Sequence, residues 1–182
     1  MALWAAFFCG LIVLYLLLNS LPSLLVSRGM PRPQASLVQA AFNLAGVVGA
    51  ACIGGLMDSG ARRWAVAGVF ALLCAGLALL AASGADFGVA LLVGSVVGVA
   101  MLGAQSVLYN IAPGLYPTAV RGTGLGAAVA AGRLGSVTGP LLAGALVGAG
   151  RSPGEVLTAL LPMVVISGAI ALWLAWRAPQ PD

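Results

Sequence analysis

The chain has 182 residues, of which 62% are apolar types and 7% are charged, with a net charge of +4. Soluble domains carry about 25% charged and about 45–50% apolar residues, so an ordinary soluble fold and a disordered tail are excluded. A nucleic-acid binder is excluded as well: all eight cations are Arg, scattered from Arg28 to Arg177, with no basic run to follow a phosphate backbone.

Titratable chemistry is equally thin. The chain has no His and four acids, Asp58, Asp86, Glu155 and Asp182. Most catalytic and metal centres need more such groups, so no catalytic residue, metal, cofactor or enzymatic activity is expected. Cys9, Cys52 and Cys74 each sit in an apolar run and read as small packing residues.

A bilayer core of about 30 Å needs about 20 apolar residues in a helix. The sequence offers six such stretches, which predicts an all-α integral membrane protein with residues 1–182 as one unit. The apolar runs are too long, and alternate too little, for barrel strands. The first span covers about 3–25. It lacks a positive n-region and its apolar part is too long for a signal peptide. Tyr15 and Asn19 stand one turn apart on it, ahead of Pro22. A turn-rich connection with Arg28, Pro31, Arg32 and Pro33 leads to the second span, about 36–57, which carries Gln39 and Asn43 at the same spacing. The third span, about 64–83, follows the segment Gly54-Gly55-Leu56-Met57-Asp58-Ser59-Gly60-Ala61-Arg62-Arg63. The fourth, about 87–112, holds Gly94 and Gly98, then Gln105, Tyr109 and Asn110.

The fifth span, about 122–148, is introduced by Tyr116-Pro117-Thr118-Ala119-Val120-Arg121. It contains Gly122 and Gly126, Gly135 and Gly139, and Gly144 and Gly148, spaced so that backbones can approach closely. Gly139-Pro140 is the expected bend or hinge. The sixth span runs over about 155–176. Pro113 and Pro162 lie near span ends.

The polar pairs Tyr15/Asn19, Gln39/Asn43 and Gln105/Tyr109, with Asn110 beside the last, each fall on one helix face. Polar groups facing hydrocarbon cost free energy, so these faces should turn inward, as packing glue or as a solute cavity. Arg133 is the sharpest feature. It stands near the middle of the fifth span, where a charged Arg costs from about 2.5 to more than 10 kcal/mol. It keeps its proton. No acid of the chain lies at that depth, so its mate is an anionic solute or another polypeptide. Asp58 is placed to pair with Arg121 as a latch across one end of the bundle.

These residues resemble the major facilitator superfamily of secondary transporters. The superfamily's loop motif Gly-x-Leu-x-Asp-Arg-x-Gly-Arg-Arg is matched at Gly54, Leu56, Asp58, Arg62 and Arg63, and departs at Ser59 and Ala61. The run Tyr116-Pro117-Thr118 to Arg121-Gly122-Thr123-Gly124, followed by Gly132-Arg133-Leu134-Gly135 and Gly139-Pro140, is similar to the aromatic acid/proton symporter branch. So is Asn19-Ser20-Leu21-Pro22 in the first span. The resemblance implies half of a twelve-helix fold, its C-terminal six helices, without the first half that carries the proton-binding acid.

On this reading Arg133, Tyr15, Asn19, Gln39, Asn43, Gln105, Tyr109 and Asn110 serve substrate and coupling. Asp58, Arg62, Arg63 and Arg121 gate the cytoplasmic side, and Gly139 and Pro140 act as the hinge. The implied partners are a small organic, aromatic anion, protons, membrane lipid, and the missing half or a second copy. The implied location is the inner membrane with both termini cytoplasmic. The chain alone is expected to be inactive. Alternatives are a self-sufficient six-helix homodimeric exporter or pore, a sugar-porter-like half, and a membrane-embedded enzyme or assembly factor.

Overall fold

A computed structural model of the chain describes residues 1–58 and 62–177. Its elements are helices and turns, with no strand among the described residues. Five long helices come first: α1 (Ala2–Ser27), α2 (Arg32–Asp58), α3 (Arg62–Ala82), α4 (Phe87–Ile111) and α5 (Arg121–Gly148). The sixth span is split into α6 (Pro153–Thr158) and α7 (Leu161–Arg177). Together they make six segments long and apolar enough to cross a membrane. The chain is a multi-pass membrane protein.

The ends of the spans are written in their residues. Gly29 has φ 97° and Gly150 has φ 74°, left-handed values that a glycine takes without a Cβ clash. Each closes a helix in the same way. The amide of Met30 reaches the carbonyl of Leu25 at 3.2 Å, and that of Arg151 reaches Leu146 at 3.0 Å. Asp86 caps α4 by accepting from the Val89 amide at 2.8 Å. Ser152 and Glu155 form a reciprocal capping box that starts α6. The sixth span differs from its predicted single helix because Pro162 cannot donate to Thr158, so the ladder is interrupted where α6 meets α7.

Short connections make successive spans antiparallel, so α1 and α5 run parallel, as do α2 and α4. Glycines bring each parallel pair together. A Cβ on Gly139 would lie 2.5 Å from the Ile12 carbonyl oxygen, and one on Gly135 would overlap the Phe8 carbonyl. On the other side, a Cβ on Gly94 would meet Val38 at 2.8 Å and one on Gly98 would overlap the Phe42 backbone. The remaining glycines of the expected pairs, Gly122, Gly126, Gly144 and Gly148, have nothing within 4 Å of that position. They are not interface residues within this bundle. All four pairs share one sequence spacing, on α4 and α5, which fixes that a face is small but not what it meets.

Helix α1 is the centre of the bundle. It packs on α5 and α7, with α2 and α4 alongside, while α3 packs on α4 and α7. Its most hydropathic stretch is 56% buried, against 22% for α2 and for α5. Fully buried Phe7, Leu16, Leu17, Leu21, Leu77 and Met101 form part of the core. Hydroxyls join the helices across it: Ser167 donates to the Ala6 carbonyl at 3.0 Å and Ser106 to the Ala50 carbonyl at 3.1 Å. At the end of the bundle that holds the α1–α2 connection, Arg28 donates to the carbonyls of Leu80, Ser83 and Ala81 at 2.7, 2.7 and 3.0 Å. A cation on the last carbonyls of α3 satisfies acceptors that the helix leaves open and suits its dipole. Partial burial pushes that guanidinium's pKa down.

The glycine contacts make a direct test. Gly135→Ala should push α1 off α5 at a cost of about 1–3 kcal/mol, read as a lower thermal midpoint in detergent. Gly144→Ala, whose added methyl meets open space, should leave the midpoint unchanged or raise it.

Candidate functional site

Arg133 stands twelve residues after Arg121 and fifteen before Gly148, so about 18 Å and about 22 Å from the two ends of α5. Tyr15 has the corresponding place in α1, thirteen residues after Ala2 and twelve before Ser27. The parallel packing of α1 on α5 sets Gly132 and Gly135 against Phe7, Phe8 and Leu11 of α1, and the long side chains of Arg133 and Tyr15 bridge the remaining distance. An Nη of Arg133 donates to the Tyr15 hydroxyl at 3.2 Å. Gly132 and Gly135 keep the shared face narrow: a Cβ on Gly132 would lie 2.7 Å from Leu11. Arg133, one residue on from Gly132, therefore emerges on the flank of that contact and is exposed.

A guanidinium has five N–H donors in a fixed fork. Tyr15 takes one, and no carboxylate lies within ion-pair distance of Arg133 among the described residues. The remaining donors present a planar edge suited to a carboxylate, which it can grip with two parallel hydrogen bonds. Ser136, one turn away, donates to the Arg133 carbonyl at 2.6 Å and fixes the backbone there.

The other predicted residues fall into separate groups. Asn19, Asn43 and Asn110 are exposed, and each turns its amide back to a carbonyl four residues earlier, at 2.8, 3.0 and 2.9 Å. The i,i+4 spacing thus serves a local side-chain-to-backbone bond rather than a pair of side chains. Tyr109 lies two residues from the end of α4, with its ring 5.1 Å from Phe7 in an edge-on contact, and Phe7 in turn lies against Gly132. Gln39 is half-buried, and neither amide atom has a hydrogen-bond partner among the described residues.

Tyr109 is exposed, whereas Gln105 turns inward as expected. It is only 7% exposed and turned into the bundle, where it lines a cavity of about 10 Å³ with Gly10 and Ser167. The missing side chain of Gly10 makes the room, since a Cβ there would sit 2.9 Å from the Gln105 amide nitrogen. Gln105 therefore does not share the Arg133 flank.

At the end of the bundle where α5 begins, Arg121 is exposed and Arg62 is buried. Arg63 stacks over Trp176. Residues 59–61 and the Asp58 side chain, and with them the expected latch, lie outside the described residues. Gly139 of the expected hinge is spent on contact with α1, beside Pro140 within α5. Sequence reasoning passed over Trp4, whose indole N–H donates to the Tyr116 hydroxyl at 3.2 Å and ties the start of α1 to the segment before α5. Gly124 admits the Tyr116 ring, which a Cβ would touch at 2.5 Å.

The orphaned amide of Gln105 supplies a second test. A buried polar group without partners costs free energy, so Gln105→Met, close to it in size and shape, should hold or raise the thermal midpoint. A fall of about 1–3 kcal/mol would mean that the amide is satisfied after all.

Comparison with known proteins agrees with this architecture. The family model for the Major Facilitator Superfamily matches residues 3–182. The chain is 39% identical over 177 residues to the 3-(3-hydroxy-phenyl)propionate transporter of Escherichia coli (strain K12), covering 96% of this chain and 43% of that protein. It is 34% identical over 174 residues to the gallate transporter of Pseudomonas putida, covering 94% of this chain and 38% of the relative. The 4-hydroxybenzoate transporter PcaK of Pseudomonas aeruginosa is also 34% identical, with 93% of this chain and 38% of the relative covered. The chain thus spans about two fifths of the length of these transporters. Six membrane-spanning segments and a match over nearly every residue lead to one conclusion: the chain belongs to the major facilitator superfamily.

Proposed function

We propose that the chain is one six-helix side of a secondary transporter for small aromatic carboxylates, with Arg133 gripping the carboxylate at mid-membrane. The observation that carries this reading is the exposed Arg133 guanidinium, fixed by Tyr15 and facing no acid. A charge at that depth in lipid is costly, and an anionic solute in a hydrated cavity removes the cost. Arg fits because its fork matches a carboxylate; the Tyr15 phenol adds an apolar ring with a polar tip beside it. The names of the relatives, which specify hydroxyphenylpropionate, gallate and hydroxybenzoate, supply the aromatic part of the proposal.

Arg133 and Asn19 are exposed within their spans, so the flank that bears them needs cover other than lipid. A second six-helix bundle is the proposed cover, in keeping with a chain that spans about two fifths of its relatives. Transporters of this kind bind at the midplane between two such bundles and rock around the site. Proton coupling, on this reading, uses a titratable group of the second bundle, since this chain has no His and no acid at the depth of Arg133. Asp58 and Arg121 are assigned to the gate, and Gly139-Pro140 to the bend that couples α5 to α1. Both termini are placed in the cytoplasm and the bundle in the inner membrane.

The test is uptake of labelled 3-(3-hydroxyphenyl)propionate by bacteria. The chain is co-expressed with the portion of the Escherichia coli relative that it does not match. Uptake should appear with the pair and fall at least about 30-fold with Arg133→Ala, as expected when one partner of a desolvated charge pair is removed. Arg133→Lys should recover part of it. Full uptake by an Arg133→Ala protein that is present in the membrane would remove Arg133 from the mechanism. Arg133-dependent uptake by the chain alone would make the second bundle another copy of this chain.

A further inference from the structure

The flank formed by α3 and α7 lies across α1 from Arg133 and has a different character. Where α3 begins and α7 ends, three indoles are exposed: Trp64 at 82%, Trp173 at 47% and Trp176 at 63%. Exposed indoles at the end of a span belong at headgroup level, with the ring in the apolar zone and the N–H in the wet one. Two guanidiniums are laid over these rings. The Arg63 carbon stands 5.2 Å from the centre of Trp176, and that of Arg177 stands 4.2 Å from the centre of Trp173.

Arg63 and Trp176 are 113 residues apart in the chain and meet only because α3 and α7 pack together, whereas Arg177 and Trp173 are one turn apart on α7. That packing depends on Gly168, where a Cβ would lie 2.8 Å from Phe70. Stacking occupies the face of each guanidinium and leaves its in-plane N–H groups directed outward. Neither arginine pairs with a carboxylate among the described residues. Between the helices runs a groove of about 270 Å³ lined by Arg63, Trp64, Ala67, Leu172 and Trp176. Its rim is cationic and aromatic, and its floor, about one turn deeper into the span, is Ala67 and Leu172.

A ligand that matches both parts has an anionic head and an apolar tail. Free phosphate satisfies the rim but leaves the floor bare. A zwitterionic lipid fills the floor but carries its own cation to the rim. We propose that this groove is a binding site for one anionic phospholipid. Its phosphodiester sits on Arg63 at the rim, with Arg177, next to the lining Trp176 in sequence, as a second cation nearby, and an acyl chain lies over Ala67 and Leu172. The site is on the opposite side of α1 from the proposed substrate site and does not depend on that assignment.

The experiment uses the purified chain in nanodiscs of phosphatidylcholine doped with brominated phosphatidylglycerol or brominated phosphatidylcholine, with tryptophan quenching as the readout. Phosphatidylglycerol should quench at several-fold lower mole fraction. Arg63→Gln and Arg177→Gln should each reduce that preference about fivefold, as expected for one interfacial cation. Arg151→Gln, at the other end of the bundle, should leave it intact. The preference of the unmodified chain should also fall in 0.5 M salt, a readout that needs no variant. Equal quenching by the two lipids overturns the proposal, and so does an unchanged preference when both arginines are replaced.

Discussion

A guanidinium held halfway across a membrane is the constraint around which this chain is organised. An arginine guanidinium does not readily shed its charge, and an apolar slab offers it no solvation. The phenol of Tyr15 meets one of the five donors of Arg133, and the rest point to the flank of α5. Much else in the bundle keeps those two residues adjacent. The α1–α5 contact is built from Gly135 and Gly139, which let the partner backbone come closer than any side chain would permit, and from Gly132, which makes room for the Leu11 side chain. In lipid, where burying apolar surface between helices gains little, such close approach is the main source of association. The Trp4–Tyr116 bond fixes one end of the same contact.

The arrangement divides the bundle by chemistry. The α1–α5 flank carries Arg133 and Asn19 and is suited to a charged solute or a polar cover. The α3–α7 flank carries stacked arginines and exposed indoles and is suited to the headgroup zone of the bilayer. Arg28, by contrast, points at protein. It gathers the carbonyls that end α3 and so ties the α1–α2 connection to the neighbouring end of the bundle. Four arginines thus answer the same problem of a cation near lipid in three ways: Arg133 with a phenol hydroxyl, Arg63 and Arg177 with an aromatic face, and Arg28 with open helix carbonyls.

The six spans were legible because length and composition leave a membrane helix no alternative. The motifs also led to the right superfamily. The position of Arg133 near the middle of its span was legible too, but not that it meets Tyr15. Their contact joins residues 118 apart and depends on α1 and α5 lying parallel. Glycine spacing was an ambiguous sign: Gly94 with Gly98 and Gly135 with Gly139 face a neighbour, whereas Gly144 with Gly148, spaced alike, face open space. Amide spacing misled more. Asn19, Asn43 and Asn110 bond to their own helices, whereas Gln105 does turn inward as expected, into room that Gly10 leaves. The hydroxyls that do cross between helices, Ser106 and Ser167, carry no pattern in sequence, since a single serine fits a lipid face as well as an interface.

The central claim is that the flank bearing Arg133 opens onto an aqueous, anion-binding space rather than onto acyl chains. Ser136, one turn from Arg133 on the same helix, is the place to measure it. In a background with Cys9, Cys52 and Cys74 replaced, Ser136→Cys is exposed to a membrane-impermeant cationic thiol reagent in the transport-competent assembly. The account predicts that the thiol is modified, and that an aromatic carboxylate slows the modification only when Arg133 is present. A thiol that stays unreactive, or one whose modification the carboxylate leaves unchanged, would contradict it.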